Sequence, residues 1–239
     1  MKYLDRILGT AQENLACDEA LLDHCEEGYS DEILRFWEPR QHFVVLGYSN
    51  KARAEVNLDS CCALDVPILR RCSGGGTVLQ GPGCLNYALI LRIREGSATN
   101  SIAEANAFIM NRNRKALNSL LGGQVLVQGH TDLTLQGLKF SGNSQRRKRR
   151  FLLFHGSFLL GLDLALVEQT LRQPSKQPAY RRNRAHKDFL TNLPLQASAV
   201  KQAMKEAWGA TDTLEEIPEE RIERLVREKY CTDSWSLKS

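Results

Sequence analysis

No pair of cysteines in the sequence is spaced for a metal site. The seven cysteines stand at 17, 25, 61, 62, 72, 84 and 231, an odd number with no CxxC and no companion His spacing. Zinc binding finds no support, and reduced thiols in a cytoplasmic protein are expected. The roughly 20 uninterrupted apolar residues of a membrane span are missing as well. The longest apolar tract, from Phe151 to Val167, is broken by His155, Gly156, Ser157, Gly161 and Asp163. Met1 to Arg6 has no apolar core of an export signal, so neither export nor membrane insertion is expected. Nor is there a large excess of charge: 32 Lys+Arg against 28 Asp+Glu leave +4, which tolerates an anionic partner without announcing one. Finally, no GxxxxGK[ST] occurs and Gly74-Gly75-Gly76 does not complete GxGxxG, so a nucleotide, if bound, is held in another way.

What is present suits one domain over residues 1–239 with a sizeable core, since 42% of residues are apolar and 25% charged. Helical spacing from Glu13 to Cys25 predicts a packed surface helix. Ile33–Trp37 and Phe43–Leu46 read as two strands that could pair as a hairpin across Pro39-Arg40-Gln41. Val66–Arg71 is a further strand, and Asn86–Arg92, apolar on both faces, a central one. A helix is expected over 101–121, ended by Gly122-Gly123, then strands at 124–128, 132–135 and 151–160. Helices follow at 164–171, 197–208 and 217–227. Without a regular βαβ alternation, the order argues for an α+β fold.

Three stretches could carry chemistry. Arg70-Arg71-Cys72-Ser73-Gly74-Gly75-Gly76-Thr77-Val78-Leu79 removes successive Cβ atoms, so backbone N–H groups can converge on an anion beside two guanidinium groups. A flexible turn with solvated arginines explains the same residues equally well. Lys139, just past a turn at Gln136-Gly137, is either an anion partner or, by the usual exposure of lysine, a rim charge on an edge strand. Arg146 to Arg150 is a run of five cations; a nucleic-acid module acting through it is the minority reading, because no aromatic platform or recognition motif accompanies it. His155, alone in an apolar strand, reads as a hydrogen-bonded core residue. Among the thiols only Cys84 falls near the glycine run on a plausible loop.

Taken together these segments resemble the catalytic domain of the lipoate–protein ligase A family, within the biotin/lipoate ligase and octanoyltransferase superfamily. The resemblance runs from Asn14-Leu15-Ala16 with Asp18-Glu19, through Leu34–Trp37, Glu55-Val56-Asn57, the RRxSGGGxV segment, Leu85-Asn86-Tyr87, Lys139-Phe140-Ser141-Gly142-Asn143 and His155–Leu160, to Lys229-Tyr230 with Trp235. It implies a mixed, largely antiparallel sheet flanked by helices, of the class II synthetase type. It also implies a compact form, because no C-terminal accessory domain follows Trp235. The activity implied is ATP-dependent formation of lipoyl-AMP, aided by Mg2+, then lipoyl transfer to a lysine of an acceptor lipoyl domain or lipoate-binding protein. A separate accessory subunit is a further implied partner. Lys139 becomes the catalytic residue, touching both acid and phosphate, which overturns the rim reading. The adenylate falls to Arg71, Gly76, Thr77, Val78, Leu79 and Lys139, and lipoate to Arg70, Gly74, Gly75, His155, Gly156 and Lys139. The resemblance implies no metal-ligating residue in the chain. The rival within the superfamily is an octanoyl or lipoyl transferase or amidotransferase working through a cysteine thioester, for which Cys84 is the candidate nucleophile.

Overall fold

Two helices are fixed at their starts by reciprocal caps written in the sequence. Thr10 and Glu13 exchange side-chain and backbone hydrogen bonds at one, Ser101 and Glu104 at the other. Gly122 ends the second in the left-handed conformation, φ 68°. The structure, a computed structural model, describes residues 1–238. Its first half holds β1 (Lys2–Asp5), α1 (Ala11–Glu27), β2 (Ile33–Trp37), β3 (Phe43–Leu46), α2 (Ala52–Glu55), α3 (Leu58–Ala63), β4 (Ile68–Arg70), β5 (Val78–Gln80), β6 (Cys84–Arg92) and α4 (Ile102–Leu121). The second holds β7 (Val125–Gln128), β8 (Asp132–Leu135), β9 (Leu138–Arg147), β10 (Phe151–Leu159), α5 (Leu164–Thr170), α6 (His186–Phe189), α7 (Ala197–Trp208), β11 (Asp212–Thr213), α8 (Glu219–Leu225) and α9 (Asp233–Ser236).

The large sheet runs β11-β1-β2-β6-β10-β9-β8-β7, and a small one runs β4-β3-β5. Pairing is antiparallel except at β1·β11, β1·β2 and β3·β4. One face of the large sheet is covered by α4 and α7, through Leu89, Ile109, Phe154 and Met204. The other is covered by α1 and the C-terminal segment, through Leu21, Ile90, Leu153 and Tyr230. A third cluster, with Val44, Leu79 and Leu162, joins the small sheet to the region of α5. This is the α+β architecture expected, with β6 central as its two apolar faces require.

Two expectations fail. The strands Ile33–Trp37 and Phe43–Leu46 do not form a hairpin: β2 joins the large sheet and β3 the small one. Phe43–Leu46 is apolar throughout and Ile33–Trp37 apolar except at Arg35, which fits strands buried on both faces, and such runs carry no information about pairing partners. Nor is α1 a surface helix. Residues 14 through 22 are all buried, because the C-terminal segment covers the side that its acidic residues mark as polar. Among the described residues no helix is long and apolar enough to cross a membrane.

Candidate functional site

The α1-side face of the large sheet and the facing small sheet enclose a cavity of about 560 Å³, within the usual range for ligand sites. Register places two rows of residues on the sheet face that forms its floor, all but Arg35 and Ala88 lining the cavity. Trp37 pairs with Asn86, Asn86 with Ser157, and Ser157 with Gly142. One step along the strands, Arg35 pairs with Ala88, Ala88 with His155, and His155 with Ser144. Register partners share a face, so each row crosses four strands in steps of about 4.8 Å.

The glycine segment forms the opposite wall. Gly75, Gly76, Thr77, Val78 and Leu79 line the cavity, whereas Arg70 and Gly74 do not. Arg71 also lines the cavity and braces the loop: its Nε and one Nη donate to the Gly74 carbonyl, and that Nη also donates to Gly76 O at 2.7 Å. Burial pushes the Arg71 guanidinium down to about 10. Gly75 has φ 86°, and a Cβ there would stand 2.9 Å from an Arg71 Nη, so the turn needs glycine. The expectation that Arg70 meets a ligand is not met. Its guanidinium is 0% exposed and donates to the carbonyls of Gly47, Tyr48, Asn50, Trp235 and Lys238.

Lys139 reaches the cavity from β9, beside the two-residue turn Gln136-Gly137, whose φ values of 51° and 79° set the β8–β9 hairpin. Its ammonium lies 2.8 Å from Asp132 Oδ1, and the other carboxylate oxygen accepts from the Tyr180 hydroxyl at 2.6 Å. Neither Asp132 nor Tyr180 is singled out by residue type alone. Gly156 also follows from geometry: a Cβ there would come within 1.8 Å of Asn143 Oδ1 and 2.7 Å of Gly142 O.

His155 is fully engaged. Asp18 Oδ2 accepts from Nδ1 at 3.1 Å, which leaves Nε2 to accept from the Ser73 hydroxyl at 2.5 Å. Asp18 also receives Arg35 at 2.5 Å, and Arg35 donates further to Asn14. Burial alone would raise the Asp18 carboxyl, but the Arg35 charge and the bonds from His155 and Arg35 outweigh it and hold it below the ordinary carboxylate value. The Arg35–Asp18–His155–Ser73 chain is thus a preassembled support, with Arg35 Nε left without a hydrogen-bond partner. In the neighbouring row Trp37 Nε1 and Asn86 Nδ2, together with Gln80 Oε1 and Thr77 Oγ1 from the facing wall, are buried with no hydrogen-bond partner. All four residues line the cavity. Orphaned polar atoms are costly, so four of them facing one cavity from two sides mark a lining made to receive polar groups.

The cysteines lie elsewhere. None of the seven lines the cavity, and all are free thiols. Cys84 and Cys72 are buried, and burial pushes each thiol up to about 12, which removes the thiolate a nucleophile needs. The cation run is largely engaged. Arg146 donates to Cys72 O, Arg147 to Thr99 and Asn100 carbonyls, and Lys148 pairs with Asp23 at 2.5 Å. Three of the five cations are thus engaged within the protein, and Arg149 and Arg150 are the two left exposed.

Comparison with known proteins agrees with the geometry. The family model of the lipoyl protein ligase A/B catalytic domain matches residues 10–208. Octanoyltransferase LipM of Halalkalibacterium halodurans is 25% identical, over 94% of this chain and 94% of its own length. Lipoate-protein ligase A subunit 1 of Thermoplasma acidophilum is 24% identical, over 96% and 93%. Among solved structures, a bi-partite lipoate protein ligase from Thermoplasma acidophilum superposes with TM-score 0.82 at 23% identity, covering 99% of this chain and 96% of the other. A lipoate-protein ligase A bound with ATP does so with TM-score 0.75 at 25% identity, covering 99% of each. The chain belongs to the lipoyl protein ligase A/B catalytic-domain family.

Proposed function

We propose that this member of the family is an ATP-dependent lipoate–protein ligase, which activates lipoate as lipoyl-AMP and transfers the lipoyl group to a lysine of an acceptor lipoyl domain. One observation carries the reading: the Lys139 ammonium enters, from the sheet floor, a cavity that no cysteine among the described residues lines. An acyl group passed through a thioester needs a thiolate beside the acyl chain, and the buried Cys84 thiol does not supply one. This favours direct attack of an amine on an activated acid. The names of the relatives leave both activities open, since ligases and octanoyltransferases occur among them.

In this reading Lys139 meets charge that grows on phosphate oxygens in the first step and on the acyl carbonyl oxygen in the second. One fixed cation serves both. The backbone of Gly76, Thr77, Val78 and Leu79 lies along the adenylate, with Arg71 holding the loop in shape. Gly75, His155 and Gly156 border the acyl chain. ATP supplies the leaving pyrophosphate. Among the described residues no group of three or more His, Cys, Asp or Glu is placed to hold a metal. Mg2+ would therefore ride on the phosphates, its shell completed by water. The acceptor is a lipoyl domain or lipoate-binding protein, and the bi-partite relative favours a separate accessory subunit.

Incubation with ATP, Mg2+, lipoate and an apo lipoyl domain, with the accessory subunit where one is required, tests the reading. The acceptor should gain one lipoyl mass with pyrophosphate release, and Lys139→Ala should abolish both. Acyl transfer from an octanoylated carrier protein without ATP, and no pyrophosphate with lipoate, would replace it by the transferase reading.

A further inference from the structure

Residues 172–189 form a strap along the cavity, with Arg172, Pro174, Lys176, Gln177, Pro178 and Arg181 on its wall. Beside the backbone N–H bonds of Arg172 and Lys187, three side chains fasten the strap to the rest of the protein. At its start the Ser175 hydroxyl donates to Glu55. Near its end Arg184 donates to Gly137 O at 3.3 Å. In the middle Tyr180 donates to Asp132, the same carboxylate that holds the Lys139 ammonium. The two oxygens are divided between the two partners: Oδ1 to Lys139 and Oδ2 to Tyr180.

That division has a physical consequence. A carboxylate turns about a broad, roughly two-fold torsion, so a donor on one oxygen fixes where the other points. Donation from the phenol also draws density away from the oxygen that faces Lys139, which weakens a grip that an anionic substrate must compete with. Burial, and then the Asp132 charge, raise the Tyr180 phenol, so it remains a donor throughout the working range of pH. The ring is held independently, 5.3 Å from the Phe189 ring.

We propose that Tyr180 is a positioning residue for Lys139, acting through Asp132, so that the seating of the 172–189 strap and the aim of the ammonium are set by one hydrogen bond. The proposal rests on the assignment of Lys139 to the reaction centre, yet its test needs no turnover. Tyr180→Phe keeps the ring and removes only the hydroxyl. Trypsin should then cut after the exposed Lys176 and Arg182, which flank the bond, about tenfold faster than in the wild type, the scale of a lost hydrogen bond to a charged group. Asp132→Asn should do the same, and the double variant no more than either single one. In the intact protein, amine labelling read by mass spectrometry should show the Lys139 reactivity changed about threefold or more in Tyr180→Phe, with exposed Lys115 unchanged as reference.

Wild-type cleavage and wild-type Lys139 labelling in Tyr180→Phe would overturn the proposal, whatever reaction the protein catalyses. Faster cleavage with unchanged Lys139 labelling would also overturn it, because the bond would then only fasten the strap. Where ligase activity is present, Tyr180→Phe should raise KM for lipoate more than it lowers kcat.

Discussion

Lys139 lies directly over Gly142: a Cβ on that glycine would stand 2.9 Å from both the Cε and the Nζ of the lysine. The crowded atoms are the far end of a flexible chain, so the lysine can swing aside without disturbing the strand. Gly142→Ala should therefore cost at most about 1 kcal/mol of stability, yet displace the ammonium from the place the chemistry requires. A misplacement of about 1 Å can cost about 100-fold in rate. Paired denaturation and adenylation assays check it; a fully active Gly142→Ala would mean that the ammonium need not sit where it does.

Gly47 makes the opposite kind of contact. A Cβ there would meet the Gly75 carbonyl at 2.1 Å and Asn50 Oδ1 at 2.3 Å. Backbone cannot swing aside as a lysine can, so Gly47→Ala should push the glycine loop out of shape. Lost ligand binding together with a stability loss of about 2 kcal/mol or more is expected, read by calorimetry and urea unfolding.

The buried pair of Asp18 and Arg35 predicts an acid dependence. The folded Asp18 carboxyl lies below its ordinary value. Its contribution to stability is therefore complete above the unfolded value of about 3.9 and is lost as pH falls through the folded one. Asp18→Asn leaves the guanidinium of Arg35, 0% exposed, without its counter-charge. A loss of about 3–5 kcal/mol at neutral pH is expected, shrinking once the wild type is titrated below the folded value. Urea midpoints over an acid series measure it, and a pH-independent difference would count against the pairing.

How much of this was legible depends on whether a feature is local. The turn at Gln136-Gly137, the two capping boxes and the Cβ-free run are written in neighbouring residues, and each takes the conformation its chemistry demands. Pairing is not local, which is why β2 and β3 looked like a hairpin while entering different sheets. Lys139 gained its significance from family resemblance, because by exposure statistics a lysine after a turn is a rim charge. Arg35 and Asp18 looked like ordinary polar residues on amphipathic elements, although 17 positions apart they form one buried pair. The strap at 172–189 read only as a connection with prolines and asparagine. Its purpose depends on Tyr180 reaching Asp132 across 48 residues.

Thiol chemistry gives a separate test. Cys62 and Cys231 are exposed, and the other five cysteines are buried. Iodoacetamide on the folded protein should alkylate those two and leave lipoylation at the unmodified level. Cys84→Ser should likewise keep acyl transfer, at a stability cost of about 1–2 kcal/mol for burying a hydroxyl in an apolar cluster. Loss of transfer on Cys84→Ser in a protein that remains folded would reinstate a thioester route.

The orphaned row predicts a trade between stability and binding. Asn86 is 5% exposed and its Nδ2 has no partner, so the free protein bears a desolvation cost of about 1–3 kcal/mol that a bound polar group would relieve. Asn86→Leu keeps the branched heavy-atom skeleton and removes that donor. The variant should be as stable as the wild type or about 1 kcal/mol more so, a rise in melting temperature of about 2–4 °C. With lipoate and ATP added, its further thermal shift should fall short of that of the wild type, and calorimetric Kd should rise about tenfold. A less stable variant with an undiminished ligand shift would make the amide a structural group, and the polar lining would then have to be read from Trp37 Nε1, Gln80 Oε1 and Thr77 Oγ1 alone.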